Sequence, residues 1–241
     1  MIGLGTIINV AAIVAGGILG RLFGSRLRET TQDAMTKVCG VSTLFIAIAG
    51  ALEEMLTVEG GKVTASGGLM IIICLALGTF IGELLRIEDG FERFGQWLKR
   101  KSGNSSDPGF VDAFVTASLT VCIGAMAIVG SIQDGIRGDW SILAAKAVLD
   151  LIIILIMTGS MGRGCVFSAI PVAVLQGSVT ALAGLLVSVV TDEVLANISL
   201  LGSVMIFCVG VNLVWGKKLR VANMLPALVL AAGAAYLPAI I

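Results

Sequence analysis

The sequence predicts an all-α fold: a polytopic transmembrane bundle of about eight helices, built from repeated helical hairpins, with the N- and C-termini outside. Composition is the first observation, because 57% of the 241 residues are hydrophobic and only 13% are charged, whereas soluble domains carry about 25% charged residues. The second is a mean hydropathy of +1.02. The third is a series of apolar runs that reach the roughly 20 residues a helix needs to cross a bilayer. We therefore expect a single integral membrane domain, residues 1–241, surrounded by lipid.

Eight apolar segments follow one another along the chain and define the expected helices. They cover residues 2–23, 38–56, 63–85, 110–133, 142–161, 165–190, 194–215 and 221–241. The fifth segment is the weakest, because it contains Lys146 and Asp150. A count of seven, with the fifth or the last segment not spanning, remains an alternative.

The positions of the basic residues predict the orientation of these helices. Thirteen of the 16 Lys and Arg residues follow the first, third, fifth and seventh segments. Only Lys62, Arg137 and Lys146 lie elsewhere. Because loops rich in Lys and Arg stay in the cytoplasm, we expect both termini on the outer side.

The longest loop on the basic side, residues 86–109, is expected to contain a short amphipathic helix on the cytoplasmic leaflet. Its apolar residues share one helical face, with charges opposite, and they are Phe91, Phe94, Trp97 and Leu98. A helix of this kind lies in the plane of the membrane interface. We favour an interfacial anchor, and a binding role for this loop stays open.

Internal similarity predicts a duplicated architecture. Residues 68–87 align with residues 202–221, and residues 46–54 align with residues 126–134. A small or polar residue, three spacers, a glycine and a charged residue also recur at the cytoplasmic end of four segments, where the charged residues are Arg21, Glu83, Arg163 and Lys217. Such spacing lets helix backbones approach closely. We expect two four-helix halves in the same orientation, residues 1–133 and 134–241.

Polar residues within the apolar segments predict an intramembrane site. Charged side chains at depth are costly and commonly mark functional sites. Lys146 and Asp150 are four residues apart on the fifth segment, and Asp150 falls about 12 Å inside, near the midplane, at 1.5 Å per residue. The candidate substrate- or ion-binding residues are Asn9, Ser131, Gln133, Asp134, Lys146, Asp150 and Gln176. We expect them to converge in one outward-facing cavity, because polar groups at depth must face protein or water.

Five of the candidate residues are also consistent with a structural role. Lys146 and Asp150 fit an ion pair that holds helices together, and Asp134 fits a solvated turn residue. Asn9 and Gln176 fit interhelical hydrogen bonds. The placement of Gly, Pro and Gln further predicts that two segments unwind, at residues 130–135 and at residues 171–177, and expose backbone groups as transporters with discontinuous helices do.

Several function classes are disfavoured. The sequence contains no P-loop, nucleophile elbow, zinc-protease motif or aspartic-protease motif, so we expect no enzyme. Histidine is absent and the five cysteines lie singly in apolar segments, so we expect no metal and no cofactor. A net charge of zero argues against a nucleic-acid partner. The small-residue edges favour a homo-oligomer, with a dimer as the commonest closed arrangement.

Five motifs resemble the YqgA/YdfK-like bacterial membrane proteins, a family with a domain of unknown function. They are GTIIN at residues 5–9, GAMAIVGSIQDG at residues 124–135, the Lys146–Asp150 spacing, the Gln176–Gly177 pair and KLRVANMLPA at residues 218–227. The resemblance covers essentially the whole chain. It implies a multi-pass protein of the bacterial inner membrane, often described only as a candidate transporter.

Two functional hypotheses follow from the polar centre. The first is a transporter or channel for a small solute or ion, with its site around Lys146 and Asp150. The alternative is a membrane scaffold or assembly partner in which this pair is structural.

Overall fold

The computed structural model describes residues 1–24 and 28–236. Its helices and strands, in chain order, are α1 (Leu4–Gly24), α2 (Glu29–Met55), β1 (Leu56–Glu59), β2 (Lys62–Ala65), α3 (Gly68–Leu85), α4 (Ile87–Lys101), α5 (Phe110–Cys122), α6 (Ala125–Arg137), α7 (Ser141–Met161), α8 (Ala169–Ala181), α9 (Ala183–Leu186), α10 (Asp192–Trp215) and α11 (Pro226–Ala234). Turns of 3₁₀ helix precede α8 at Arg163–Ser168 and α11 at Val221–Met224. Arg26 and the last five residues of the predicted segment 221–241 lie outside the described residues.

The chain is an all-α membrane protein with one small hairpin. Within residues 1–24 and 28–236, six helices are long and apolar enough to cross a membrane. These are α1, α2, α3, α7, the continuous stretch Arg163–Ala181, and α10. The pair α5–α6 reaches a seventh span if its 61° bend lies within one crossing, and Val221–Ala234 is a shorter apolar helix. The predicted eight segments therefore correspond to six clear spans, one bent pair and one short helix.

Close glycine contacts hold the helices together. On α1, a Cβ at Gly16 would lie 2.4 Å from the carbonyl oxygen of Leu151, and one at Gly20 would lie 2.3 Å from that of Leu155. The later glycine of α1 faces the later leucine of α7, so the two helices run parallel. On α3, a Cβ at Gly82 would meet the carbonyl oxygen of Asn223 at 1.9 Å. Small residues thus permit the backbone contact that association in lipid requires.

The four recurring glycine edges have two different roles. Gly20 and Gly82 pack against neighbouring helices, as the sequence predicts. Gly162 and Gly216 instead follow the last residues of α7 and α10, with φ of 106° and 80°. These φ values are in the region that glycine adopts without steric cost. The duplication into two halves stays a prediction.

The two predicted helix breaks are wrong in position. Residues 130–135 are regular helix within α6, and the break lies earlier, where α5 ends and Gly124 has φ of 140°. Residues 171–177 are also regular helix, within α8. Pro171 is tolerated there because it lies in the first turn of the helix, where a backbone N–H has no intrahelical acceptor. The irregular backbone of this region is instead the 3₁₀ turn Arg163–Ser168.

The predicted amphipathic helix is present as α4, and its end of the bundle is called the α4 end below. Leu98 is buried, while Phe94 and Trp97 are 39% and 48% exposed, with stacked rings 5.8 Å apart.

The opposite end carries an antiparallel hairpin of β1 and β2, which the sequence did not predict. Gly60 and Gly61 both have positive φ, and paired glycines between β-branched residues are the usual signal for such a turn.

We expect Gly20→Ala to destabilise the protein, because the added methyl group would collide with the backbone of α7. Overpacking of this kind costs about 1–3 kcal/mol, so the thermal unfolding temperature in detergent should fall by several degrees. Gly177→Ala is the matched control, since a Cβ at this α8 position meets nothing within 4 Å. Equal unfolding temperatures for the two variants would contradict the close α1–α7 packing.

Candidate functional site

The centre of the site is an ion pair on α7. Lys146 Nζ lies 2.8 Å from Asp150 Oδ1 and 2.7 Å from Asp150 Oδ2. The two residues are one helical turn apart, and Asp150 lies nine residues into the 21-residue helix. Lys146 is 8% and Asp150 3% exposed. Two opposite charges are therefore held in the interior of the bundle, where each must be compensated locally.

Two amide side chains from other helices complete the cluster. Asn9 Nδ2, on α1, donates to Asp150 Oδ2 at 3.0 Å and to Gln176 Oε1, on α8, at 3.3 Å. Both amides are fully buried. Four of the seven predicted residues thus form one hydrogen-bonded group, called the central cluster below: Asn9, Lys146, Asp150 and Gln176.

The central cluster leaves two buried polar atoms without a partner in the described part of the chain. They are Asn9 Oδ1 and Gln176 Nε2. The orientation of Asn9 follows from its neighbour, because only an amide nitrogen donates to a carboxylate oxygen. Gln176 accepts from Asn9 through its oxygen, so its nitrogen is the free end. The cluster therefore retains one acceptor and one donor for a further group.

A second polar group lies nearer the start of α1. Asp134 Oδ2, on α6, accepts a hydrogen bond from the backbone N–H of Gly5 at 3.0 Å. The hydroxyl oxygens of Thr6 and Thr180 lie 3.5 Å apart between α1 and α8. Ser131 is buried on α6. Asp134 is fully buried, so its interpretation as a solvated turn residue is wrong.

The remaining predicted residue stays apart from these contacts. Gln133 is half-buried on α6 and takes no part in the hydrogen bonds of either group. Its side chain points away because successive residues of a helix are rotated by about 100° from one another. Gln133 therefore lies on the same helix as Ser131 and Asp134 but is not part of either polar group.

The central cluster is closed in this structure, in contrast to the predicted outward-facing cavity. With at most 8% of the surface of any of its four residues exposed, it is sealed by the packing of α1, α7 and α8. A cavity of about 230 Å³ does open at the α4 end, among α2, α5 and α10. Its polar lining includes Asp112, Glu88 and Lys217, and the last two belong to a separate cluster.

Sequence reasoning missed this separate cluster, which joins α4 to residues 217–223. Glu88, only 1% exposed, pairs with Lys217 Nζ at 2.9 Å, and its backbone N–H donates to Asn223 Oδ1 at 2.7 Å. Burial lowers the pKa of Lys217, but the side chains of Glu92 and Glu88 outweigh it and raise the pKa above its usual value. The available signal was helical spacing, because Glu88 shares the buried face of α4 with Gly95 and Leu98.

Comparison with known proteins identifies the family. The model of the family described as "Protein of unknown function (DUF554)" matches residues 4–236. The chain belongs to this family. The resemblance inferred from GTIIN, GAMAIVGSIQDG and the other motifs is thereby confirmed.

Two relatives of the DUF554 family match almost end to end. "Uncharacterized protein YqgA" of Escherichia coli (strain K12) is 30% identical over 232 residues, which cover 95% of this chain and 94% of the relative. "Uncharacterized membrane protein YdfK" of Bacillus subtilis (strain 168) is 25% identical over 226 residues, which cover 94% and 93%. No solved structure matches. The family match supports a membrane protein.

We expect Lys146→Ala to destabilise this DUF554 protein strongly, because it leaves the Asp150 carboxylate buried without its cation. Breaking one partner of a buried pair costs about 3–5 kcal/mol. Lys146→Ala/Asp150→Ala removes both charges and should recover most of the lost thermal stability in detergent. A double variant no more stable than Lys146→Ala would show that the pair is not the source of the loss.

Proposed function

We propose that this protein is a multi-pass transporter or channel for a small solute or ion in the bacterial inner membrane, with the central cluster as its binding site. The observation that carries the proposal is the pair of unpartnered amide atoms, Asn9 Oδ1 and Gln176 Nε2, beside a buried ion pair. Intramembrane ionisable residues are functional candidates by default. Unpaired buried polar atoms are rare in native proteins and call for an explanation.

The protein itself supplies a comparison for a purely structural polar cluster. Asn223 uses both ends of its amide, accepting from the backbone N–H of Glu88 and donating to Glu83 Oε1 at 2.8 Å. Asn212 likewise accepts from two backbone N–H groups and donates to the carbonyl of Leu219 at 2.7 Å. The amides of the α4 end are thus satisfied, whereas Asn9 and Gln176 each keep one free end. This difference favours a ligand-binding role for the central cluster.

Exchange with the ion pair provides a binding mechanism. A cation that enters would compete with Lys146 Nζ for the Asp150 carboxylate, with Asn9 Oδ1 as an added oxygen ligand. An anion would instead draw Lys146 away from Asp150, with Gln176 Nε2 as an added donor. In the empty state the pair neutralises itself, so the closed arrangement carries no net charge.

The proposed topology has eight crossings, both termini outside and two halves, residues 1–133 and 134–241. The distribution of Lys and Arg supports the orientation. The parallel packing of α1 and α7 supports halves of the same orientation, because these are the first helices of the two. Sites between such repeats are common in transporters. Movement of α1 and α8 relative to α7 would open the central cluster, and a dimer is the favoured assembly.

The second candidate function is a membrane scaffold or assembly partner. The closure of the central cluster favours it, because its four buried residues join three helices through hydrogen bonds and an ion pair. In this hypothesis the ion pair ties α7 to α1 and α8, and small-residue edges bind a partner.

We expect Asp150→Asn to abolish transport, because the variant removes the charge that a ligand exchanges with but keeps the shape. The variant also leaves Lys146 buried without its anion, so size-exclusion chromatography must show a folded, monodisperse protein before its currents are compared. The measurement is charge movement in proteoliposomes on a solid-supported membrane after concentration jumps of sodium, potassium and chloride. Asp33→Asn is the control, since Asp33 is an exposed carboxylate on α2. Equal currents from Asp150→Asn and the wild type would remove Asp150 from the transport site. If the wild type gives no current with sodium, potassium or chloride, the scaffold hypothesis is favoured.

A further inference from the structure

Asp134 is a buried carboxylate without a counter-ion. Within the described residues, four residues of the charged types Asp, Glu, Lys and Arg are buried: Glu88, Asp134, Lys146 and Asp150. Lys146 pairs with Asp150, and Glu88 pairs with Lys217. Asp134 takes part in none of the ion pairs that the described residues form. Burial of an isolated carboxylate charge is costly, so its charge needs another source of compensation.

The hydrogen bonds around Asp134 use only one of its oxygens. Oδ2 accepts from the N–H of Gly5, the second residue of α1, and the partial positive charge at that helix end compensates part of the carboxylate charge. Asp134 Oδ1 and Ser131 Oγ have no partner among the described residues, and both side chains are fully buried. Ser131 and Asp134 are three residues apart on α6, so they share one helical face.

Glycines bring the neighbouring helices unusually close to this face. A Cβ at Gly130 would lie 2.8 Å from Leu143, and one at Gly135 would lie 2.5 Å from the carbonyl oxygen of Thr180. A Cβ at Gly5 would lie 2.7 Å from Leu143 and 3.1 Å from Asp134 Oδ2. The helices α1, α7 and α8 therefore pack closely around this face, and the two unpartnered oxygens are shielded from water.

We propose that Asp134 Oδ1 and Ser131 Oγ form a site for a sodium ion, separate from the central cluster. Oxygen ligands suit hard cations, and a single carboxylate charge neutralises a monovalent ion, whereas a divalent ion would leave excess charge in the interior. A coordinated sodium ion accounts for both orphaned oxygens.

The sodium site and the central cluster are connected by polar groups. The hydroxyls of Thr6 and Thr180 face each other beside Asp134, and Asn9 follows Thr6 on α1 after three residues, about 4.5 Å along the axis. Asn9 then contacts Asp150. The inference rests on the proposed function in this respect, because it makes sodium the carried or coupled ion. Binding of sodium at Asp134 can nevertheless be measured without transport.

The test is binding of ²²Na⁺ to the purified full chain in detergent by scintillation proximity, with choline chloride holding the ionic strength constant. We expect saturable binding to the wild type and a loss of about tenfold or more in affinity for Asp134→Asn, because a charged contact is lost. Asparagine keeps an oxygen that accepts from Gly5, so the contact with α1 survives. Ser131→Ala should bind sodium more weakly than the wild type.

Asp33→Asn removes the same charge from an exposed position and should bind sodium as the wild type does. Absence of saturable binding to the wild type, or undiminished binding to Asp134→Asn, would overturn the proposal. Failure of the transporter hypothesis is distinguishable: sodium binding that depends on Asp134 without sodium current leaves the site valid and rejects sodium transport. A current for another ion in a protein that does not bind sodium would reject the sodium site and leave the transporter hypothesis valid.

Discussion

The close parallel contact of α1 with α7 is the constraint on which the rest of the interior depends. Gly16 and Gly20 let the backbone of α1 lie directly on the carbonyl oxygens of Leu151 and Leu155. This approach sets the height and rotation of α1, and it brings Asn9 within hydrogen-bond distance of Asp150. Any side chain larger than glycine at these positions would push the helices apart, and the Asn9–Asp150 bond would lengthen with them. The packing and the polar centre are thus one structural unit.

Two polar clusters in the same bundle differ in how many of their buried polar atoms have hydrogen-bond partners. At the α4 end, Glu88 binds both Lys217 and Asn223, and these contacts attach the amphipathic helix to residues 217–223. In the centre and along α6, buried oxygens and a nitrogen stay without partners in the described residues. In a low-dielectric interior such atoms cost free energy. Two of these atoms belong to the central cluster and two belong to Asp134 and Ser131, and the binding sites proposed above rest on them.

The sequence predicted part of the site, and the reason differs from residue to residue. Lys146, Asp150, Asn9 and Gln176 were predictable because polar groups are rare in apolar segments and have to find each other there. The enclosure of Asp134 was not predictable, because Gln-Asp-Gly near the end of a helix also fits a solvated turn. Its burial depends on Gly5 of α1 and Thr180 of α8, which come from distant parts of the chain. The roles of all these residues stay predictions.

By itself the sequence determined the membrane class, the approximate bounds of the apolar helices, the amphipathic helix α4 and the family. These properties depend on local composition and on periodicity, which lipid and the helical repeat impose on each segment separately. Only the tertiary structure decided where the backbone breaks, at Gly124 rather than at residues 130–135. It also decided that the central cluster is closed and that Asp134 forms no ion pair among the residues that the structure describes. Such properties arise from the distance between helices, and that distance follows from glycines whose partners lie far away in the chain.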